Sequence, residues 1–114
     1  MEDITYRRPL VWSSAHFTHE GTIRENNEDA VFVSPFNQCW AVADGMGGVQ
    51  GGAEASQLAV QVLKDCLGDR PSIGVQEMST AASHANTAIF ERGIDNPSFA
   101  GMGTTLVGLC FIDT

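Results

Sequence analysis

Carboxylates gather at two places in this 114-residue chain, and a glycine-rich turn follows one of them. Glu28 and Asp29 close the polar stretch Thr-Ile-Arg-Glu-Asn-Asn-Glu-Asp at residues 22–29. Asp44 opens Asp-Gly-Met-Gly-Gly-Val-Gln-Gly-Gly, with five glycines in nine residues. Carboxylate oxygens and a backbone carbonyl bared by glycine are the ligands a hard divalent cation takes. Arg24 stands four residues before Glu28. Its guanidinium can pair with the carboxylates or hold a phosphate through two parallel hydrogen bonds. Carboxylates, a free carbonyl and one arginine suit metal-assisted chemistry on a phosphate ester. The same residues also fit a plain strand-to-helix turn and a solvated loop, and spacing alone leaves both readings open. A nucleotide-type phosphate loop fits less well. Gly45-x-Gly47 lacks the later glycine at the expected offset, and no Lys-Ser/Thr pair follows. His16 and His19 would face opposite sides of an extended segment, and His84 has no partner three or four residues away on its helix.

These residues act together only if the elements carrying them do. Residues 1–10 read as a lead-in, and imperfect alternation over 11–18 predicts an edge strand. A β-branched and aromatic run predicts a strand over 30–34, the Pro35-Phe-Asn-Gln38 cluster a turn, and Cys-Trp-Ala-Val-Ala a strand over 39–43. If those two strands are antiparallel neighbours, Asp29 and Asp44 share one end of the sheet. A helix is expected over 53–67, with Ala55, Leu58/Ala59, Val62/Leu63 and Cys66 on its apolar side. A second helix carries the stripe Val75, Met78, Ala82, Ala85 and Ile89, with Gly93 at its stop. After a loop over 95–103 comes a strand over 104–112. Leu106, Cys110 and Ile112 lie on one face, and Val107, Leu109 and Phe111 on the other. A strand apolar on both faces must be covered on both sides. Thr104 and Thr105 suit strand initiation, with their hydroxyls in local backbone bonds.

Composition narrows the possibilities. Fourteen acidic residues against six basic ones give a formal net charge of −8, and apolar residues make up 43%. That is a globular balance. It argues against a nucleic-acid partner, which needs clustered Lys and Arg. No apolar run approaches the length of a membrane span, and the first residues lack the apolar core of a secretory leader. Cys39, Cys66 and Cys110 are odd in number and far apart. They read as three buried thiols with neither disulfide nor zinc spacing, which suggests a reducing, cytoplasmic setting.

Four motifs in order give a more specific signal. Gly21-Thr-Ile-Arg24-Glu-Asn-Asn27-Glu28-Asp29-Ala30, Ala41-Val-Ala-Asp44-Gly45-Met46-Gly47-Gly48, Glu54-Ala55-Ser56 and Gly101-Met102-Gly103-Thr104-Thr105-Leu106 resemble the successive motifs of the PP2C-type (PPM) metal-dependent serine/threonine protein phosphatases. The resemblance covers residues 11–112 and is nearer the bacterial branch. It implies an α+β fold, the αββα sandwich of two antiparallel sheets flanked by helices, with residues 11–114 as the N-terminal portion of that domain. It implies two Mn²⁺ or Mg²⁺ ions and a phosphoprotein substrate. Asp44 would bridge both metals, Gly45 would give its carbonyl to one, and Glu28 would ligate that same one. Asp29 would hold the metal's water without touching the metal, and Arg24 would bind the substrate phosphate.

Two departures accompany the resemblance. Met46 stands where many eukaryotic relatives have a histidine proposed as general acid, and a thioether has no proton to give. The family's later Gly-Asp-Ser motif and its two further aspartates have no counterpart in these residues. The fold is therefore expected to be incomplete, and the chain to have little or no activity alone. Self-association or a complementing chain would cover what is missing. The alternative reading is a non-catalytic remnant that keeps half the site as a metal-binding or protein-interaction module.

Overall fold

The computed structural model describes residues 13–24, 26–34 and 39–111. Two long strands form the centre. β1 (Asp29–Val33) and β2 (Cys39–Met46) pair antiparallel, with Asp29 opposite Asp44 and Val33 opposite Trp40. The other edge of β2 takes residues 103–110, which run antiparallel in one unbroken register as β3 (Gly103–Thr104) and β4 (Val107–Cys110). The single strand expected over 104–112 is thus two short ones, and Ile112 lies outside the described residues. The edge strand expected over 11–18 does not form within 13–18. No described strand is there to pair with it, and Phe17 is 86% exposed.

One face of the sheet is covered by helix α1 (Gly48–Leu67), which packs on β1 and β2, while α2 (Val75–Asp95) packs mainly on α1. Strand alternation sets which residues meet it: Cys39, Ala41 and Ala43 are buried, as is Phe32 of β1. Leu63, Leu67, Ile73 and Ala81 complete that core from the helical side. The short 3₁₀ turn Pro97–Phe99 lies between α2 and β3, inside the expected loop.

Both helices run further than their sequence suggests. Glycines cost a helix about 1 kcal/mol each, which places the expected start of α1 at Ala53. Gly48, Gly51 and Gly52 are nevertheless helical, because the first turn is held by tertiary packing. A Cβ at Gly51 would meet Met102, and one at Gly52 would meet Glu28 and Gly45. Gly93 does not stop α2 either. It lets the helix pass 3.2 Å, measured from a would-be Cβ, from the Phe99 carbonyl oxygen. Val75, expected on the apolar stripe, is exposed at the first position of α2, and Ala81 takes the inward place.

The cysteine reading needs correcting. Cys39 and Cys110 face each other across β2 and β4 and form a disulfide; only Cys66 is a free thiol. Their wide separation in sequence hid the pairing, because only the β2–β4 register brings them together. A bridge across 71 residues removes about 4 kcal/mol of unfolded-chain entropy on the loop-closure picture.

The opposite face of the sheet is bare. Val42, Val107 and Leu109 are 52%, 71% and 58% exposed. Trp40 lies on the same face, edge-on to Phe111 at 5.7 Å, and its buried indole N–H has no hydrogen-bond partner among the described residues. Among the described residues, nothing covers Val42, Val107 and Leu109 on this face. Among the described residues, no helix is long and apolar enough to cross a membrane.

The tightest contact is between β2 and α1. A Cβ at Gly45 would lie 1.8 Å from the Gly52 carbonyl oxygen, whereas one at Gly103 meets nothing within 4 Å. Gly45→Ala should therefore cost at least about 3 kcal/mol in thermal unfolding, and Gly103→Ala no more than about 0.5 kcal/mol. Equal losses would show that the close approach is not what holds this end of the fold.

Candidate functional site

The acidic end of the sheet is built by register. Asp29 starts β1 directly opposite Asp44 on β2, so both carboxylates leave the same face at the same end. The two carboxyls act on each other's charge across the strand pair. The Asn27 side-chain oxygen accepts from the Asp29 N–H at 3.0 Å, and the Asn27 amide donates to Thr18 Oγ1 at 2.7 Å. Asn27 thus fixes the start of β1, a task its solvated-loop reading did not include. On the other side of Asp44, its carbonyl accepts from the Thr105 N–H at 2.9 Å, and its own N–H donates to Thr105 Oγ1 at 3.2 Å. Sequence reasoning gave Thr105 only local backbone bonds. The hydroxyl instead reaches across strands to the candidate metal ligand, a link visible only once residues 103–110 are laid along β2.

Glu28 and Gly45 come together by another route. The Gly45 N–H donates to the Glu28 carbonyl at 2.9 Å. The Glu28 carboxylate lies against Gly52 in the first turn of α1, with Oε2 2.5 Å from where a Cβ would sit. The Gly45 carbonyl carbon is 3.0 Å from that same point. A carboxylate oxygen and the Gly45 peptide therefore share one crevice that only glycine leaves open. Met46 is 66% exposed at the end of β2. Arg24 is exposed, and its charge acts on Asp29.

The glycine-rich turn serves packing as well. Gly47 has φ 132°, and a Cβ there would lie 2.6 Å from the Met102 Cα. The Asp-Gly-Met-Gly-Gly and Gly-Met-Gly-Thr-Thr motifs are therefore packed on each other. In the third motif, Glu54 pairs with Arg92 of α2, and the buried Ser56 hydroxyl donates to the Ala53 carbonyl. Glu54 joins the two helices, Ser56 bonds within α1, and neither is among the contacts of the acidic end.

The electrostatics follow from the pairing. The Asp29 pKa is raised, first by desolvation, then by the neighbouring Asp44 carboxyl and the charge of Glu28; Arg24 opposes the shift. The donor set is all oxygen, which fits a hard divalent cation in kind. It falls short in number: among the described residues, no group of three or more His, Cys, Asp or Glu side chains is placed to hold a metal. The histidines stay apart from the acidic end. His19 accepts from the Gly21 N–H, and His84 contacts Cys66.

A raised folded-state pKa fixes the sign of a pH effect. Asp29 contributes stability while protonated, and that contribution is lost as pH rises through its folded pKa. The metal-free chain should therefore lose stability just above the ordinary carboxylate range. Asp29→Asn should remove that step and raise the melting temperature at neutral pH. A lower melting temperature for Asp29→Asn in EDTA would contradict the repulsive pairing.

No protein-family profile matches the chain. Curated relatives do. The serine/threonine protein phosphatase PstP of Mycobacterium tuberculosis is 38% identical over 106 residues, 92% of this chain and 20% of PstP. The serine/threonine phosphatase stp of Listeria monocytogenes is 37% identical over 98 residues, 79% of this chain and 39% of stp. Among solved structures, the PstP catalytic domain in complex with two manganese ions superposes with a TM-score of 0.75 at 35% identity, covering 85% of this chain and 42% of that one. The chain thus spans about a fifth to two fifths of the lengths of the proteins it matches. By these matches the chain resembles, in sequence and in its α+β fold, part of a PP2C-type (PPM) serine/threonine phosphatase domain.

Proposed function

We propose that the chain supplies one side of a metal-dependent phosphoserine/phosphothreonine phosphatase site, as the N-terminal portion of that domain. The observation that carries this is the register that sets Asp29 against Asp44, beside the crevice shared by Glu28 and Gly45. Asp44, Glu28 and the Gly45 carbonyl would hold a Mn²⁺ or Mg²⁺ ion, and Asp29 would hold its water. The ion's part is to make a water acidic enough to attack phosphorus near neutral pH. Thr105 and Asn27 keep the two aspartates in register. Arg24 is exposed and near Asp29, free to turn its guanidinium to a phosphate and neutralise its oxygens. Met46 cannot protonate a leaving alcohol, so that proton would come from water. A phosphoprotein is the proposed substrate, since the matched PstP is named a serine/threonine protein phosphatase.

The bare sheet face supports the same reading. We infer that further polypeptide with an apolar sheet face covers Val42, Val107 and Leu109, and brings an acceptor to the Trp40 N–H. A signalling role in the cytoplasm goes with a phosphoprotein substrate. A disulfide is uncommon in a reducing compartment, so there the Cys39–Cys110 bond would open and close. The remnant reading is less favoured, because the carboxylates and the glycine crevice are all retained.

Two measurements test this. With so few ligands, the chain alone should hydrolyse an aryl phosphate little or not at all in Mn²⁺. Mn²⁺ should still raise the melting temperature of the wild type by a few degrees, and leave Asp44→Asn unchanged. No shift for the wild type would remove the metal site. The bare face should make the chain associate as its concentration rises, and Val107→Lys with Leu109→Lys should disperse it. A wild type that sediments as a monomer at every concentration would show that the face needs no cover.

A further inference from the structure

The Cys39–Cys110 bond lies at one end of a strand whose other end supports Asp44. Residues 103–110 keep one register along β2, from Met46 opposite Gly103 to Cys39 opposite Cys110. At the first end, Thr105 exchanges two hydrogen bonds with the Asp44 backbone. At the second end is the disulfide. Between them Val107, Gly108 and Leu109 are exposed, and β4 has no described strand on its outer edge. The segment is held along β2 by the ladder of β4, by Leu106 against the core, and by the disulfide and the Thr105 bonds at its two ends. Cys39 is fully buried, whereas Cys110 is only half-buried. Cys110, on the outer strand, is the more exposed residue of the pair.

We propose that Cys39 and Cys110 form a thiol–disulfide switch that sets how firmly residues 103–110 are held along β2 and, through Thr105, how firmly the Asp44 end is held. The exchange partner is a small disulfide, R–S–S–R, or its thiol. In oxidation, the Cys110 thiolate attacks one sulfur of R–S–S–R and expels RS⁻. The Cys39 thiolate then attacks Cys110 Sγ and expels the second RS⁻. Two protein thiols and one small disulfide become one protein disulfide and two small thiols. Reduction reverses the steps, with the small thiolate entering at Cys110. Cys66 stands apart, between α1 and α2, with its sulfur 3.7 Å from His84 Nδ1, and stays a thiol throughout. The switch does not depend on the phosphatase reading.

The test equilibrates the chain in oxidised or reduced glutathione, counts alkylated thiols, and follows amide hydrogen exchange. One thiol should be found after oxidation and three after reduction. On reduction, the amides of Thr105 and Cys110 should exchange at least about tenfold faster relative to that of Leu63 in the core. The Cys39→Ala/Cys110→Ala variant should exchange like the reduced chain in both buffers, and Cys66→Ser should keep the full response. Three thiols in both buffers would overturn the proposal. So would unchanged exchange at Thr105, or an equal change at Leu63, which would make the bond a uniform staple. If the double variant does not fold, the wild-type comparison decides alone.

Discussion

The close approach of Gly45 to Gly52 is the constraint on which the rest of the structure depends. It brings the first turn of α1 against the end of β2 with no side chain between the two backbones. That approach leaves the crevice into which the Glu28 carboxylate fits, and it sets the line along which Ala55, Ala59, Leu63 and Leu67 meet the sheet. A helix whose first turn carries Gly48, Gly51 and Gly52 is weak in isolation. Here the lost propensity is offset by packing that larger residues would prevent. The glycines that weaken the helix are thus the ones that allow the site.

Strand alternation then divides the labour of β2. Cys39, Ala41 and Ala43 point to the helices, while Trp40, Val42 and Asp44 point away from them. The face away from the helices is apolar along most of its length and acidic at one end. An apolar face left in water is costly, and the Trp40 N–H, unpartnered among the described residues, adds to that cost. The acidic end is costly for another reason, since Asp29 and Asp44 repel each other unless one is protonated or a cation lies between them. A covering layer would relieve the first cost and a cation the second.

Much of this was legible in the residues. The runs of apolar residues indicated β1, β2 and the bodies of both helices, and antiparallel pairing of the two strands puts Asp29 and Asp44 at one end. What stayed hidden was non-local. The start of α1 at Gly48 depends on contacts with Met102 and Glu28, which helix propensity does not include. The Thr105 bonds to Asp44 and the pairing of Cys39 with Cys110 both require the register of residues 103–110, set by strands more than sixty residues apart. Residues 13–18 failed as a strand for the opposite reason. Their alternation is real, but a strand also needs a partner edge, and none is described beside them.

The most direct measurement is paramagnetic line broadening by Mn²⁺ in an amide-resolved NMR spectrum of the chain. A cation held by Glu28, Asp44 and the Gly45 carbonyl broadens the amides of residues 28–29, 44–45 and 104–105 first, at substoichiometric metal, and leaves the C-terminal half of α2 sharp. Broadening spread evenly over the acidic surface, or centred elsewhere, would contradict a metal site at this end of the sheet.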